Sequence, residues 1–581
     1  MNHILFVLLR RLRTPLITVI IVYAVSVLGF VIIPGVDDTG APWRMSFFHA
    51  FYFVSFMGST IGFGEIPYEF TDGQRMWTLV TIYGTVISWL YSIGKMLAVF
   101  QDQAFIRLMN RFAFIREVNR IGEPFYLVCG YGMTGSRVVS QLTRRGIHVV
   151  VVDIEQARID ALETDSLEHN VPGLCADASE PDVLNDAGLK SPFCVGVLPL
   201  TDQDPANLAI SIASKLLVPK LPVICRTESD VTTANLASFG TDHIIDPFVT
   251  YADYLALAIH SPYKHLVYDW LTNPEHRSVA SAYQETNGHW VICGYGRFGK
   301  ALQRSFKGKP VNLTIIDIKP MDISANVSFV EGPGTEADTL EEANIREAVG
   351  LIAGTDNDAN NLSIIMTALE LNPKLLTVVR QNLSTNDPVF SAAKTDLVME
   401  PSQIIANNIL SLIKSTLIGE FLHEMMTHQD DVWAHTLVNR MSSVAGDAEL
   451  DSWAFTVNAA ETPALEKAMT EGKTLTLNLF LKDPGGLRQN LPAFPLMLKR
   501  AQVCKLLPGE LTELEEGDEI LFCGLSDAYY QMQWIVSNFN VFRHVIGDAD
   551  ALGGWLGRWY RSRKAKMQVE KTVPESDYSE L

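Results

Sequence analysis

Two uncharged stretches in the first hundred residues constrain this chain more than any other feature. One runs from Pro15 to Ile33 and the other from Met76 to Gly94, and each is 19 residues long. At about 1.5 Å per residue, a helix of this length nearly crosses a hydrocarbon core of about 30 Å. A cleaved signal peptide is the alternative for the first stretch. However, its apolar run exceeds the usual about 7–15 residues, and no small-x-small cleavage site follows. The sequence therefore predicts two transmembrane helices.

The basic residues beside these stretches predict their orientation. Three arginines precede the first stretch, and five basic residues follow the second: Arg10, Arg11 and Arg13, then Lys95, Arg107, Arg111, Arg116 and Arg120. Because basic residues favour the cytoplasmic side, both ends are expected in the cytoplasm. Residues 34–75 then loop to the opposite face. We expect a multi-pass protein of the cell (inner) membrane with both termini cytoplasmic.

The loop between the two stretches is itself apolar. Ser46 to Met57 is too short to span a bilayer and too apolar for an exposed loop, so a re-entrant helix is predicted. Glycines then alternate with other residues from Gly58 to Glu65. Alternating glycines permit backbone conformations that point successive carbonyls the same way. Four chains around one axis would stack rings of carbonyl oxygens, which can replace the water shell of K⁺.

This segment resembles the potassium-channel filter Thr-Val-Gly-Tyr-Gly-Asp. The resemblance implies K⁺ as the permeant ion, a selectivity filter, an outer-mouth carboxylate and an inner-helix hinge. The corresponding residues are Thr60, Ile61, Gly62, Phe63 and Gly64 for the filter, Glu65 for the mouth, and Gly84 or Gly94 for the hinge. Phe63 lacks the hydroxyl that, in the family, hydrogen-bonds behind the filter, and Glu65 is longer than the family's Asp. The strength of selection for K⁺ over Na⁺ is therefore left open.

The rest of the chain is acidic. Residues 1–120 hold 10 Lys/Arg against 7 Asp/Glu, a net charge of +3, whereas the remainder holds 36 against 59, a net charge of −23. An acidic body argues against tracking a phosphate backbone, so nucleic acid is not an expected partner. The seven cysteines are scattered without a C-x-x-C pair, which favours reduced thiols over a disulfide framework or a zinc site. Cys129 and Cys293 lie within predicted strands and are interpreted as core residues.

A tandem repeat organises this body. Two G-x-G-x-x-G motifs, Gly130 to Gly135 and Gly294 to Gly299, lie 164 residues apart, and each ends a short apolar strand and opens a helix. A second strand follows each motif and ends in Asp153 or Asp317, 23 residues after the first glycine. This is the dinucleotide fingerprint, in which glycines bring the backbone to the phosphates and the acid takes ribose hydroxyls.

The repeat continues beyond the fingerprints. Thr201 to Leu208 matches Thr355 to Leu362, and Arg226 matches Arg380, now at an offset of 154 residues. Alternating strands and helices at this spacing predict a doubly wound parallel sheet in each copy.

The pattern resembles the RCK domain (TrkA-N-like), the Rossmann-like regulator of K⁺ conductance. With the pore, it looks like a prokaryotic two-transmembrane potassium channel with two RCK domains per subunit. The resemblance implies a homotetramer with eight RCK domains in a cytoplasmic gating ring, and these nucleotide-binding residues: Gly130, Tyr131, Gly132, Met133, Thr134, Gly135, Asp153, Asp177, Gly294, Tyr295, Gly296, Arg297, Phe298, Gly299 and Asp317. Because both fingerprints end in an unpaired Asp, which would repel a 2′-phosphate, NAD or NADH is favoured, with ADP or ATP also open. Either copy could instead be an empty scaffold.

The predicted fold class is a membrane α-helical pore fused to two Rossmann-like α/β domains and a small C-terminal α+β lobe. The expected domains are the pore (1–100), a linker (101–123), the first RCK domain (124–285), the second RCK Rossmann lobe with its crossover helices (286–435), the RCK C-terminal lobe (436–545) and a tail (546–581). Helices are expected over Tyr251 to Ile259, Tyr263 to Trp270 and Ser402 to Met426, and strands over Leu475 to Leu479 and Glu519 to Gly524.

Two further questions concern metals and catalysis. Hard oxygen ligands for Ca²⁺ are offered by several acids, although none follows a known calcium-loop spacing and solvated loops explain them as well: Asp202, Asp204, Asp356, Asp358, Glu513, Glu515, Glu516 and Asp518. The metal site is therefore left unknown. A membrane-anchored NAD-dependent oxidoreductase is the alternative function. The filter argues against an enzyme, as does the short interval between the copies, which leaves no room for a substrate domain. The sequence predicts a ligand-gated potassium channel in a lipid bilayer.

Overall fold

The computed structural model describes residues 2–273, 287–320, 327–393, 395–428, 431–446, 448–485 and 490–547. The chain divides into two compact units, Met1–Ile121 and Gly122–Leu581. Nearly all of the predicted tail, 546–581, lies outside the described residues.

The first unit consists of four helices and a small hairpin. Its elements are α1 (Asn2–Ile32), β1 (Gly35–Val36), β2 (Pro42–Trp43), α2 (Phe47–Gly58), α3 (Asp72–Phe100) and α4 (Gln103–Val118). Two helices are long and apolar enough to cross a membrane, over Leu12–Ile32 and Asp72–Val99, and the shorter apolar helix α2 lies between them. The order of span, short apolar helix and span agrees with the sequence analysis.

Close packing holds these helices together. The indole Nε1 of Trp77 on α3 donates a hydrogen bond of 3.0 Å to the carbonyl of Ser26 on α1. A Cβ at Gly29 would lie 2.1 Å from the same indole ring, so only glycine fits there. Phe30 and Phe53 join α1 to α2, with ring centres 5.0 Å apart.

The predicted linker, 101–123, is largely helical. Asp102 ends the turn after α3 and caps α4, because its carboxylate accepts a hydrogen bond of 2.8 Å from the backbone N–H of Ala104.

The second unit begins with a doubly wound domain. Its elements are β3 (Phe125–Cys129), α5 (Met133–Arg144), β4 (His148–Asp153), α6 (Gln156–Thr164), β5 (Gly173–Cys175), α7 (Pro181–Asp186), β6 (Cys194–Pro199), α8 (Asp204–Leu217), β7 (Ile224–Arg226), α9 (Asp230–Ser238), β8 (His243–Ile245), α10 (Pro247–His260) and α11 (Pro262–Thr272). The parallel strands run β5-β4-β3-β6, and a bridge from Val197 to Val223 leads on to the pair β7-β8. The carboxyl ends of β3 and β4 therefore lie side by side.

The second copy repeats this topology and continues into further helices. Its elements are β9 (Gly288–Cys293), α12 (Arg297–Ser305), β10 (Val311–Asp317), β11 (Ser328–Glu331), α13 (Ala337–Glu342), β12 (Gly350–Ala353), α14 (Asp358–Leu371), β13 (Leu376–Arg380), α15 (Asp387–Ala392), β14 (Leu397–Met399), α16 (Pro401–Lys414), α17 (Thr416–Thr427) and α18 (Asp431–Ala445). The six-stranded sheet has the order β11-β10-β9-β12-β13-β14, all parallel. The predicted Rossmann-like fold class is confirmed.

The helices that follow each sheet are exchanged between the two copies. Helix α10 of the first copy packs on the second, where Phe248 lies 6.3 Å from the Phe298 ring on α12. Helix α16 of the second copy packs on the first, where Ile405 joins the cluster that contains Val138 of α5. The two Rossmann-like copies therefore share cores, and neither keeps its own crossover helix.

A small lobe ends the described chain. It contains β15 (Asp451–Thr456), α19 (Pro463–Thr470), α20 (Asn478–Leu481), β16 (Ala493–Arg500), β17 (Val503–Leu506), β18 (Glu519–Gly524), α21 (Ser526–Ser537) and α22 (Phe539–Val545). Its antiparallel sheet has the order β15-β18-β16-β17. The predicted strand over Leu475 to Leu479 is wrong. Thr476 makes only an isolated bridge to Glu513 and the chain enters α20 at Asn478. The alternating leucines signalled burial in this lobe and not a strand.

Candidate pore segment and nucleotide-binding sites

The predicted filter follows directly from the end of α2. The N–H of Thr60 donates to the carbonyl of Met57 at 3.0 Å, and the N–H groups of Ile61 and Gly62 both donate to Phe56 at 3.1 and 3.3 Å. These bonds tie the segment to the last turn of the short helix.

The backbone of this segment alternates in conformation. Thr60, Gly62 and Gly64 have φ of +62°, +64° and +74°, whereas Ile61 and Phe63 do not have positive φ. A left-handed residue at every second position turns successive carbonyls toward one side, which is the geometry that a ring of carbonyl ligands needs. The five predicted filter residues therefore share one stretch of alternating backbone conformation.

Glu65, at the end of the predicted filter, has a partner on helix α2. The hydroxyl of Tyr52 donates a hydrogen bond of 3.1 Å to its Oε2. Sequence reasoning missed Tyr52, because a contact between residues 13 positions apart leaves no local pattern. The contact links the outer end of the filter to α2.

Tyr52→Phe is expected to loosen this end of the filter. A hydrogen bond to a charged group contributes about 1.5–3 kcal/mol, and exposure of this pair lowers that figure. We expect weaker discrimination between K⁺ and Na⁺, by roughly two- to fivefold, in ion flux from liposomes. Tyr68→Phe is the matched control because Tyr68 uses its ring against Trp43 at 4.9 Å. Equal selectivity in both variants would leave Tyr52 without a role in the filter.

The two hinge candidates lie within one continuous helix. Gly84 and Gly94 are both interior to α3. A Cβ at Gly84 would meet Val22 at an ordinary 3.6 Å, and a Cβ at Gly94 would meet nothing within 4 Å. Steric packing within one chain therefore explains neither glycine, and their role as hinges stays a prediction.

The first fingerprint forms a tight turn between β3 and α5. Gly130 has φ +105°, and a Cβ on Gly135 would lie 1.9 Å from the carbonyl oxygen of Gly130. Gly132 is the N-cap of α5, so Met133 and Thr134 begin that helix. The N–H groups of the first turn are available for an anion, which the helix dipole also favours.

Asp153 holds this turn in place. Its Oδ2 accepts a hydrogen bond of 2.6 Å from the N–H of Tyr131, and its Oδ1 accepts one of 2.8 Å from the N–H of Glu155. The residue is buried, and the Nη1 of Arg158 lies 3.5 Å from the same Oδ2. The expectation that this Asp is unpaired is therefore wrong, because the helix after β4 returns Arg158 to the loop.

The second fingerprint repeats this geometry with more exposure. Gly294 has φ +98°, and a Cβ on Gly299 would lie 2.3 Å from the carbonyl oxygen of Gly294. Asp317 Oδ2 accepts a hydrogen bond of 2.6 Å from the N–H of Tyr295, and Asp317 is only half-buried. Gly296 caps α12, so Arg297 and Phe298 begin this helix.

The two sites differ beyond the fingerprint. Asp177 follows β5 in the first copy, where its Oδ1 accepts hydrogen bonds of 2.8 and 2.6 Å from the N–H and hydroxyl of Ser179. Pro333 occupies the corresponding place after β11 in the second copy. Only the first site therefore has a carboxylate at this position.

Two of the acids considered as calcium ligands accept hydrogen bonds from backbone N–H groups. Asp358 is buried and accepts hydrogen bonds from the N–H groups of Asn382 and Leu383 at 2.7 and 3.1 Å. Asp204 likewise accepts 3.1 Å bonds from the N–H of Glu228. Across the described ranges, no group of three or more His, Cys, Asp or Glu residues is arranged to hold a metal ion.

Asp518 is the anchor of an ion pair in the small lobe. It is fully buried, and its two oxygens accept hydrogen bonds of 2.8 Å from Nε and Nη2 of Arg500. Its Oδ2 also accepts a 2.8 Å bond from the N–H of Glu515.

Asp518→Asn is expected to destabilise the lobe by about 2 kcal/mol. This is less than the about 3–5 kcal/mol lost when a fully buried pair is broken, because the Arg500 side chain is 38% exposed. Thermal unfolding of the full chain, with EDTA and with Ca²⁺, measures the effect, and Glu513→Gln is the exposed control. If Ca²⁺ stabilised the wild type and not Asp518→Asn, Asp518 would be a metal ligand instead.

Cys129 and Cys293 lie in the cores of the two sheets. Both are buried, and burial raises the pKa of the Cys129 thiol strongly and that of Cys293 to about 12. Such thiols stay protonated and behave as small apolar residues.

Comparisons with protein families match the N-terminal helices and both Rossmann-like copies. Residues 16–102 match the ion channel family, and residues 126–247 and 290–401 each match the TrkA-N domain. An ion-channel segment and two TrkA-N domains thus share one chain, as the sequence analysis expects.

Relatives of this chain include proteins of potassium transport in archaea and bacteria. Potassium channel protein 1 of Methanocaldococcus jannaschii is 29% identical over 27% of this chain and 49% of its own length. A TrkA homolog of Pyrococcus abyssi is 32% identical over 20% of this chain and 57% of its own length. The chain therefore spans about half the length of these relatives. One of these two relatives is named as a potassium channel and the other as a potassium uptake protein, and neither is named as an oxidoreductase.

Among solved structures, the GsuK channel bound to NAD is similar to this chain. It is 17% identical, with a TM-score of 0.45, over 92% of this chain and all of that one. GsuK bound to ADP is 19% identical, with a TM-score of 0.43, over 71% of this chain and 99% of that one.

Proposed function

We propose that this chain is a ligand-gated potassium channel in which K⁺ passes Thr60 to Gly64. The alternation of positive φ at Thr60, Gly62 and Gly64 carries this proposal. The segment with this alternation follows a short apolar helix and lies between two helices that are long enough to span a bilayer. Irregular backbone at membrane depth is tolerated only where it packs in protein or lines a pore.

A single chain supplies one filter segment, and a ring of carbonyls needs several. The channel is therefore a homotetramer in a lipid bilayer, with eight RCK domains forming a cytoplasmic ring. Lys95 and the arginines of α4 follow the second span, which supports a cytoplasmic position for the second unit and for both termini.

A nucleotide is the regulatory ligand, either NAD or NADH, or ADP or ATP. Each glycine turn presents the N-terminus of a helix longer than two turns, beside an Asp that ends the next strand. Asp317 is the more exposed of the two carboxylates, whereas Arg158 must move before a ribose reaches Asp153. Ca²⁺ is a further effector to test.

Ligand binding opens or closes the pore only if the ligand has different affinities for the two states of the ring. The inner helix α3 carries the movement to the pore, and Gly84 or Gly94 is where it bends. Both positions lack the tight contacts that would forbid a side chain.

The test is K⁺ flux through the purified chain in liposomes, with and without NAD, NADH, ADP and Ca²⁺. We expect K⁺-selective flux that one nucleotide changes, and loss of that response in Asp153→Ala or Asp317→Ala. Asp527→Ala, an exposed carboxylate of α21, is the control.

The outcomes separate the parts of the proposal. Selective flux that ignores every nucleotide would keep the pore and remove the nucleotide as regulator. Absence of selective flux under all conditions would overturn the channel assignment.

A further inference from the structure

A carboxylate of the first RCK copy touches the glycine turn of the second. Glu228 follows β7, and its Oε2 forms an ion pair with Nη1 of Arg297, the first residue of α12. Its other oxygen pairs with Arg226 of its own copy. The Glu228 side chain is only 16% exposed, whereas that of Arg297 is 62% exposed, so the contact has one buried partner and one partner open to solvent.

Two further cationic contacts lie close to this carboxylate. The guanidinium groups of Arg297 and Arg380 lie 5.2 and 4.9 Å from the centre of the Phe248 ring, which comes from the exchanged helix α10. Burial lowers the pKa of Arg380, and the nearby Arg297 lowers it further, whereas Glu228 and two aspartates oppose this shift. Two guanidinium groups and the start of α12 thus concentrate positive charge beside the glycine turn.

The first copy has no equivalent contact. The repeat relates Arg297 to Met133 at an offset of 164 residues, and Glu228 to Asn382 at an offset of 154. Neither Met133 nor Asn382 is charged, and Asn382 donates its side-chain N–H to Asp358 in its own copy at 2.8 Å. The ion pair is therefore a specific feature of the second site.

We propose that Glu228 is a built-in competitor for the phosphate position of the second RCK copy. An anionic ligand that reaches Arg297 must displace this carboxylate, which keeps Arg226 as its partner. The inference rests on the proposed nucleotide binding. The coupling is reciprocal: Glu228 weakens nucleotide binding to the second copy by some factor. A bound nucleotide therefore weakens the Glu228–Arg297 contact between the two copies by the same factor.

This role makes Glu228 a specificity-determining residue. The penalty that it imposes depends on how strongly the ligand itself binds Arg297. ADP ends in a phosphate with more negative charge than the internal diphosphate diester of NAD. Removal of Glu228 is therefore expected to favour ADP more than NAD.

The experiment measures ADP and NAD binding to the full-length chain by calorimetry at fixed ionic strength. All variants are made in an Asp153→Ala background, so that the measured binding comes from the second copy alone. Glu228→Gln, and separately Glu228→Asn, which mimics Asn382, are expected to bind ADP about two- to fivefold tighter, the range of an ion pair with one exposed partner. Asp230→Asn is the matched control: it breaks the 3.0 Å pair with Arg304 on the same α12 without touching the glycine turn. It should leave ADP affinity unchanged.

Two results would overturn the inference, and they are distinguishable. If both Glu228 variants keep the melting temperature and bind ADP no more tightly, while Asp317→Ala abolishes binding, the nucleotide site stands and Glu228 is no competitor. If neither ADP nor NAD binds to the wild type, the Asp153→Ala background or the Glu228 variants, the proposed nucleotide function falls and the inference with it.

Discussion

Gly62→Ala is expected to abolish K⁺ flux. Gly62 has φ +64°, a conformation that costs an L-residue about 1–2 kcal/mol. In a tetramer the cost recurs four times, roughly 4–8 kcal/mol in one ring of carbonyls. Relaxation to a negative φ would turn a carbonyl away from the axis and remove ligands that replace the hydration shell of K⁺.

A matched glycine separates this effect from general strain. Gly40 has φ +83° in the turn between β1 and β2, and a Cβ there would meet nothing within 4 Å. Gly40→Ala carries the same kind of backbone strain away from the filter, so flux should persist. Wild-type flux in Gly62→Ala, measured in the same liposomes, would show that ions do not cross at this segment.

Gly135→Ala is expected to abolish nucleotide binding at the first RCK copy, and Gly299→Ala at the second. Their Cβ atoms would lie 1.9 and 2.3 Å from the carbonyl oxygens of Gly130 and Gly294, far inside van der Waals contact. The glycine loop must move away from the first turn of the helix that follows it, which costs about 1–3 kcal/mol of stability. Loss of the aligned N–H groups should weaken binding by about 100-fold or more.

Binding of ADP and NAD to each variant identifies the occupied copy, because the two glycines act in separate turns. Gly122→Ala is the control, since Gly122 is exposed and its Cβ would meet nothing within 4 Å. Unchanged binding in the double variant Gly135→Ala and Gly299→Ala would place the ligand outside both glycine turns.

The unequal sites suggest why a chain would keep two copies. The first has Asp177 and a buried Asp153 covered by Arg158, and the second has a more exposed Asp317 with Arg297 held by Glu228. Two sites with different access respond to different ligands or concentrations.

Local sequence was sufficient for the spans, the short apolar helix and both fingerprints. Each of these features is specified over a few neighbouring residues: uncharged length, alternating glycines, and a glycine turn between a strand and a helix. The positive φ at Gly62 and Gly130 follows from glycine at positions where a side chain is excluded or strained. Such features need no knowledge of distant contacts.

Burial pattern alone misled at one place, and a second feature could not be decided from the sequence. Alternating leucines from Leu475 to Leu479 suggested a strand, yet the surrounding lobe buries them from several directions and α20 begins at Asn478. The role of the acids at 358 and 518, which the sequence left open between cation ligands and solvated loops, depends on distant partners: their oxygens accept hydrogen bonds from backbone N–H groups and from Arg500.

The sequence by itself determined the order of the elements, the repeat and the chemistry of each turn, because these depend on neighbours along the chain. Only the tertiary structure decided that α10 and α16 are exchanged between the copies, that Arg158 covers Asp153, and that Glu228 reaches Arg297. The last contact joins residues 69 positions apart in different domains. The exchange of helices is the physical reason for this contact. Each copy buries the apolar face of a helix from the other copy, and this packing brings the charged edges of the two copies together.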